Sequence, residues 1–111
     1  MKPALESLPQ LKAGVRHAYE RLILDLRGLP EPAFREPSLL PGWSRAHMAT
    51  HIARNADSHL RLLEAAAVGR RTEHYVGGRE GRNTAIEVGA HRNAREIVAD
   101  VEHSSLALFE V

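Results

Sequence analysis

The sequence contains no cysteine. That one absence excludes disulfides, thiolate metal sites and cysteine nucleophiles, so any thiol chemistry here must use an external thiol. No apolar run is long enough to span a bilayer and no basic-then-apolar leader opens the chain, so a cytoplasmic protein with no membrane partner is the simplest expectation. Charge of one sign is missing as well. Fifteen Lys and Arg stand against fourteen Asp and Glu, a formal net charge of +1, and the two signs are interspersed, so no overall field draws the chain to nucleic acid or anionic lipid. Aromatic residues make up only 5%. Tyr75 alone sits among basic residues, whereas a nucleic-acid surface needs a broad basic face with stacking rings. Lysine is confined to Lys2 and Lys12. There is no internal repeat, no low-complexity tract and no strand-like alternation of any length.

What remains is helical. At 111 residues with 43% apolar content, the chain is long enough for one domain with a buried core and too short for two. Ser7-Leu-Pro-Gln10 has the form of a capping box, placing the start of the first helix between Leu5 and Pro9. Leu8, Leu11, Val15, Ala18, Leu22 and Leu26 then recur at spacings of three and four, an amphipathic stripe. Gly28, Pro30 and Pro32 end it, and Pro30 to Pro41 reads as a connecting loop.

Pro41-Gly42 is a strong turn signal and Ser44 is placed to cap a second helix, running to Val68 and closed by Gly69. Along it His47, His51, Asn55 and Ser58 fall on one polar line beside an apolar stripe of Met48, Ile52, Ala56 and Leu63. Arg45, Arg54 and Arg61 are expected to face solvent. Gly69 to Gly78 is polar, contains glycine and lacks periodicity, as a surface crossover does. The third helix is expected to run unbroken from Glu80 almost to the C-terminus, with Ile86, Ala90, Asn93, Ile97, Val101, Ser104 and Leu108 on one stripe. Gly89-Ala90 places small side chains where a neighbouring helix can come close.

His47 and His51 are four apart, so their imidazoles share one helical face, a spacing that suits a transition metal. The same spacing also suits a capped, half-exposed His47 and a core-edge His51 bonded to a neighbour. Glu87 and His91 are again four apart, either as alternative ligands or as a solvated pair. His59 reads as a core-edge histidine; His17, His74 and His103 read as surface residues. Arg70, Arg71, Arg79 and Arg82 make the crossover basic around Tyr75. Arg79 and Arg82 are candidate contacts for an anion such as a keto acid, although Glu73 and Glu80 balance the loop. Trp43 reads as a packing anchor for the turn.

The turn Leu40-Pro41-Gly42-Trp43-Ser44, His51 and Ala53-Arg54-Asn55-Ala56-Asp57 resemble the N-terminal metal-binding domain of mycothiol-dependent maleylpyruvate isomerases, a branch of the DinB-like four-helix bundles. The resemblance continues through Tyr75-Val-Gly-Gly78, Arg82, Ile86-Glu-Val-Gly-Ala90 and Val98-Ala-Asp-Val101. Val76 departs from it, standing where the family often has proline. The resemblance implies an all-α, DinB-like helical bundle over residues 1–111, with three long helices present and the fourth missing. It implies His51 as a ligand to a divalent metal, zinc in the first instance, with two further ligands on the fourth helix that have no match before Val111. His47 matches a family position without a ligand role, and Asn55 lies one turn beyond His51. The implied cosubstrate is mycothiol, whose metal-bound thiolate adds to the cis double bond of maleylpyruvate, permits rotation, and leaves the trans product. Isomerising family members carry a further C-terminal domain, for which nothing here is a match. The contrasting expectation is a non-catalytic helical interaction module or remnant that self-associates as a homodimer, because three helices of a four-helix bundle leave an apolar face uncovered.

Overall fold

The computed structural model describes residues 4–110, with side chains described from Leu8 onward. The described residues form five helices: α1 (Ala4–Arg27), α2 (Glu31–Phe34), α3 (Arg45–Ala67), α4 (Gly78–Ala90) and α5 (Ala94–Phe109). The all-α bundle expected from periodicity is what forms. Helix α3 is its axis, packing most extensively on α5 and next on α4, while α1 joins the body through α5.

The core explains that order. Ala46, Ala49, Ala53 and Ala56 line the buried side of α3, where their small side chains let Ile97 and Val101 of α5 approach its backbone. Phe34, carried by α2, is fully buried in the same cluster with Ile23 and Leu26 of α1. The inward stripe read on α3 therefore holds at Ala56 and is corrected at Leu63 and Ile52. Leu63 is exposed and Ile52 only half-buried, because the face that packs is set by close helix approach, for which alanine serves better than leucine.

Three boundaries also differ from expectation. Helix α1 is already under way at Ala4, so Ser7 lies inside it and cannot be its N-cap; the Ser7 side chain lies outside the described residues. The stretch taken as a loop from Pro30 contains α2, whose first turn holds Pro32 at a position that needs no backbone N–H. Most consequentially, the long third helix is two helices, broken at His91–Asn93.

The break is held by identifiable bonds. Asn93 caps α5, its Oδ1 accepting from the Glu96 N–H at 2.8 Å while Glu96 Oε1 accepts from the Asn93 N–H at 3.3 Å. Glu31 of α2 accepts from the Ala94 N–H at 2.8 Å. From the other side, Arg35 Nη1 donates to the Ala90 carbonyl at 2.6 Å and its Nη2 to that of Arg92. The orphan carbonyls of α4 thus meet a cation and the orphan N–H groups of α5 meet carboxylate and amide oxygens. The expected stripe survives the break at Ile86, Ala90, Ile97, Val101 and Ser104, all buried.

Candidate functional site

The site is built on the turn that starts α3. Ser38 closes it: its N–H and Oγ–H both donate to the Trp43 carbonyl, at 2.8 and 2.7 Å, and its Oγ accepts from the Leu40 N–H at 3.1 Å. Gly42 makes the reversal at φ +80°, a conformation with little cost only for glycine. Trp43 is delivered half-buried at the mouth of the helix, stacked on His47 with ring centroids 6.2 Å apart and tilted against His51 at 5.6 Å.

His47 is fully engaged. Ser44 Oγ accepts from the His47 N–H at 3.2 Å, completing the cap, and in return His47 Nδ1 accepts from the Ser44 N–H at 3.2 Å and lies 2.7 Å from Ser44 Oγ. With Nδ1 an acceptor, the proton sits on Nε2, which donates to Glu87 Oε2 at 2.7 Å. Glu87 Oε1 in turn lies 3.4 Å from His91 Nε2. The hydrogen bond from His47 first, and the positive charge that His47 and His91 carry when protonated, lower the pKa of the Glu87 carboxyl from the usual carboxylate range. The structure therefore joins His47, Glu87 and His91 in a chain tying α3 to α4, apart from His51. Glu87 and His91 form the helix-flank pair that their spacing allowed, and Glu87 adds a cross-helix bond.

His51 points elsewhere. Its Nδ1 faces Arg82 Nη2 at 3.4 Å, and burial first, then the adjacent Arg82 charge, push its pKa below the ordinary histidine value. Both effects favour the neutral imidazole. Arg82 is itself gripped by rings, its guanidinium carbon 5.8 Å from the Trp43 centroid and 5.7 Å from that of Tyr75, while its Nη1 donates to Asn83 Oδ1 at 2.9 Å. The crossover carrying Tyr75 is pinned by buried Ser58, whose Oγ lies 2.9 Å from His74 Nδ1 and donates to the His74 carbonyl. Arg61 adds donations to the carbonyls of Glu73 and His74 at 2.6 and 2.7 Å. An open pocket of about 690 Å³ results, lined by Glu73, His74, Tyr75, Gly78, Arg79, Arg82 and Asn83.

The polar line is thus real for His47, His51 and Ser58, but its members serve different partners. Asn55 Oδ1 is buried without a hydrogen-bond partner among the described residues. His59 is exposed rather than core-edge, with its ring 5.6 Å from that of His74. Arg54 is not a solvent-facing residue: it reaches α5 and pairs with Asp100. His74 and Asn83 belong to the pocket although their isolated positions gave no periodic signal.

A metal does not find its ligands here. Among the described residues no three His, Asp or Glu side chains converge on one point, and the Nδ1 of His51 is faced by a cation. His51 offers one imidazole, and the residues present do not complete a metal centre around it.

Residues 15–110 match the family described as the mycothiol maleylpyruvate isomerase N-terminal domain. Two solved structures are similar: the crystal structure of a mycothiol-dependent maleylpyruvate isomerase, at 34% identity and a TM-score of 0.81, and a histidine-to-alanine mutant, at 33% and 0.80. Each similarity covers 96% of this chain and 42% of the other. The chain therefore spans less than half the length of the structures it matches. No curated protein sequence matches it.

Proposed function

The chain belongs to the mycothiol maleylpyruvate isomerase N-terminal domain family, and from that premise we propose that it is the part of a thiol-dependent isomerase or transferase that presents His51 and a cationic pocket to small-molecule ligands. The reaction class is cis–trans isomerisation of an unsaturated keto acid, or thiol transfer, with mycothiol as the external thiol. A metal-bound thiolate is what the divalent ion, zinc by analogy, would supply in such chemistry. His51 is assigned as one ligand, with the remaining ligands supplied from outside the described residues.

The observation that carries this reading is the environment of His51. A neutral imidazole, half-buried beneath Trp43, stands beside an arginine that has no carboxylate within ion-pair distance among the described residues. The chain's own residues then have distinct tasks. Arg82 and Arg79 attract carboxylate groups, Tyr75 walls the pocket, Trp43 holds Arg82 against its ring, and the Ser44–His47–Glu87 bonds fix the first turn of α3 on which Trp43 and His51 depend. The cytoplasm, where reduced thiols are kept, is the compartment this role requires.

Zinc uptake measured against a chromophoric chelator, with an external thiol present, tests the assignment. Uptake by the wild-type chain that is lost in His51→Ala supports it; equal uptake by the two chains overturns it.

A second reading is favoured by α1. Leu8, Leu11 and Val15 are 53%, 58% and 51% exposed, an apolar stripe on a half-helix with no neighbour to cover it among the described residues. A non-catalytic module that pairs with a second copy through α1 accounts for that face. Molecular mass measured across a dilution series distinguishes it: a dimer that dissociates on dilution and is abolished by Leu11→Glu is its signature.

A further inference from the structure

Five of the thirteen arginines are held in ion pairs among the described residues. Arg27 meets Glu102, Arg35 meets Glu31, Arg45 meets Glu36, and Arg54 and Arg92 share Asp100. Arg79 and Arg82 are not among them: no carboxylate of the described residues lies within ion-pair distance of either, and the two line one pocket. Glu73, the acid in the wall of their pocket, turns its Oε2 to the Gly77 N–H at 3.0 Å. Arg82 directs its donors at neutral acceptors instead: Asn83 Oδ1, and at the long distance of 3.4 Å, His51 Nδ1. Ring faces at Trp43 and Tyr75 attract a cation without neutralising it. Arg82 is therefore held in place weakly and with its charge uncompensated.

That combination makes the side chain responsive. A charge-assisted bond to a carboxylate is about twice as strong as one to a neutral acceptor, and a contact of 3.4 Å is near the limit of hydrogen bonding. Arg79 and Arg82 stand three apart on α4, hence on adjoining positions of one face, and both line the pocket with Asn83. The geometry points to Arg82 as an anion-drawn latch. A small dicarboxylate held by Arg79, Arg82 and Asn83 pulls the Arg82 guanidinium off His51 and out of the Trp43–Tyr75 pair, so that filling the pocket and freeing His51 Nδ1 are one event. A shift of this kind needs the ligand to prefer one state, and the preference is explicit: the anion bonds Arg82 only when its Nη2 has left His51. By reciprocity, any second ligand that needs a free His51 tightens in the presence of the anion. This inference deepens, and rests on, the reading of the His51 face as a ligand site.

The test uses the single tryptophan of the chain. Trp43 fluorescence is titrated with malonate at constant ionic strength, with chloride as control, while carbethoxylation of His51 by diethyl pyrocarbonate is followed by mass spectrometry. The expected result is a saturable Trp43 response to malonate and a parallel several-fold rise in the His51 modification rate. Arg79→Ala weakens the malonate affinity about tenfold, the loss of one charge-assisted contact. In Arg82→Gln, His51 reacts at the fast rate without malonate and Trp43 no longer responds; circular dichroism verifies that the helices are intact. The latch is overturned if malonate gives no saturable Trp43 change, if calorimetry shows binding without a change at His51, or if the response persists in Arg82→Gln. His51-dependent zinc uptake alongside any of these leaves the proposed function standing and removes the latch alone. A full malonate response without such uptake keeps the latch and removes the metal assignment.

Discussion

Helix α3 carries a polar cluster on each of two sides, and the two are built on opposite plans. Toward α5, Arg54 and Arg92 converge on Asp100, which is only 14% exposed, at 2.5 and 2.8 Å, and Ser104 adds a bond at 3.2 Å. Every charge there has its counter-charge. Toward α4, Arg82 and Arg79 line a pocket whose acid, Glu73, is turned to the Gly77 N–H and pairs with neither, and burial and the Arg82 charge lower the pKa of His51 beside them. A compensated cluster costs little to keep and does nothing except hold helices together. An arginine without a carboxylate partner, such as exposed Arg79 or half-buried Arg82, is solvated at little cost and keeps its charge available to a ligand. The contrast supports the α4 side as the proposed ligand site more firmly than the number of histidines does.

The contrast can be broken first at its structural pole. Asp100→Ala leaves half-buried Arg92 without a carboxylate and Arg54 with only Asp57, at 3.2 Å on its own helix, and is expected to destabilise the chain by about 2 kcal/mol, a value below that of a fully buried pair because both arginines keep some solvent. Urea unfolding measures it, and no change in malonate binding should accompany the loss. Gly89→Ala comes next. A Cβ there would lie 2.5 Å from Thr50 Cγ2, so overpacking of about 1–3 kcal/mol outweighs the gain in helix propensity of about 1 kcal/mol. Thermal melts of Gly89→Ala with and without Thr50→Ser, which removes the offending methyl, check that the clash is the cause.

Ser44→Ala sharpens the other pole. It removes the cap of α3 and one partner of His47 Nδ1, for an expected loss of about 1 kcal/mol, with a change in Trp43 emission because the ring stacks on His47. The smallest effect is in pH. The folded state disfavours protonated His51, so it binds fewer protons than the unfolded chain just below the ordinary histidine value of 6.5. Stability is therefore full above that value and falls as pH drops through the window beneath it. Glu87 acts in the same direction lower down, below its ordinary 4.5. His51→Gln should flatten the upper part of the acid limb and leave the lower part, as followed by urea midpoints across pH.

Much of this was legible beforehand. Periodicity gave the helical class, and the Pro41-Gly42 and Ser44 signals gave the start of α3 to the residue, since capping chemistry is local. The break at His91–Asn93 was missed although Asn93-Ala-Arg-Glu96 has the form of a capping box; an unbroken apolar stripe across it concealed a change of direction. Of the alanine face of α3 only Ala56 lay on the expected stripe, because hydrophobicity ranks Leu63 above Ala53, whereas helix approach selects the reverse. His51 and Arg82 were both candidates, but their meeting was not readable. They are 31 residues apart, and only the packing of α4 on α3 brings them together. Likewise, nothing local to Arg54 reveals that its charge is spoken for by Asp100.

The central claim is that the uncompensated side of α3 is a ligand site and the compensated side is not. Side-chain NMR of the arginine Nε–Hε and histidine ring signals during a malonate titration tests it most directly. The account predicts saturable shifts at Arg79, Arg82 and His51 with Arg54 and Arg92 unmoved. Shifts centred on Arg54 and Arg92, or no saturable shift at Arg82, would contradict it.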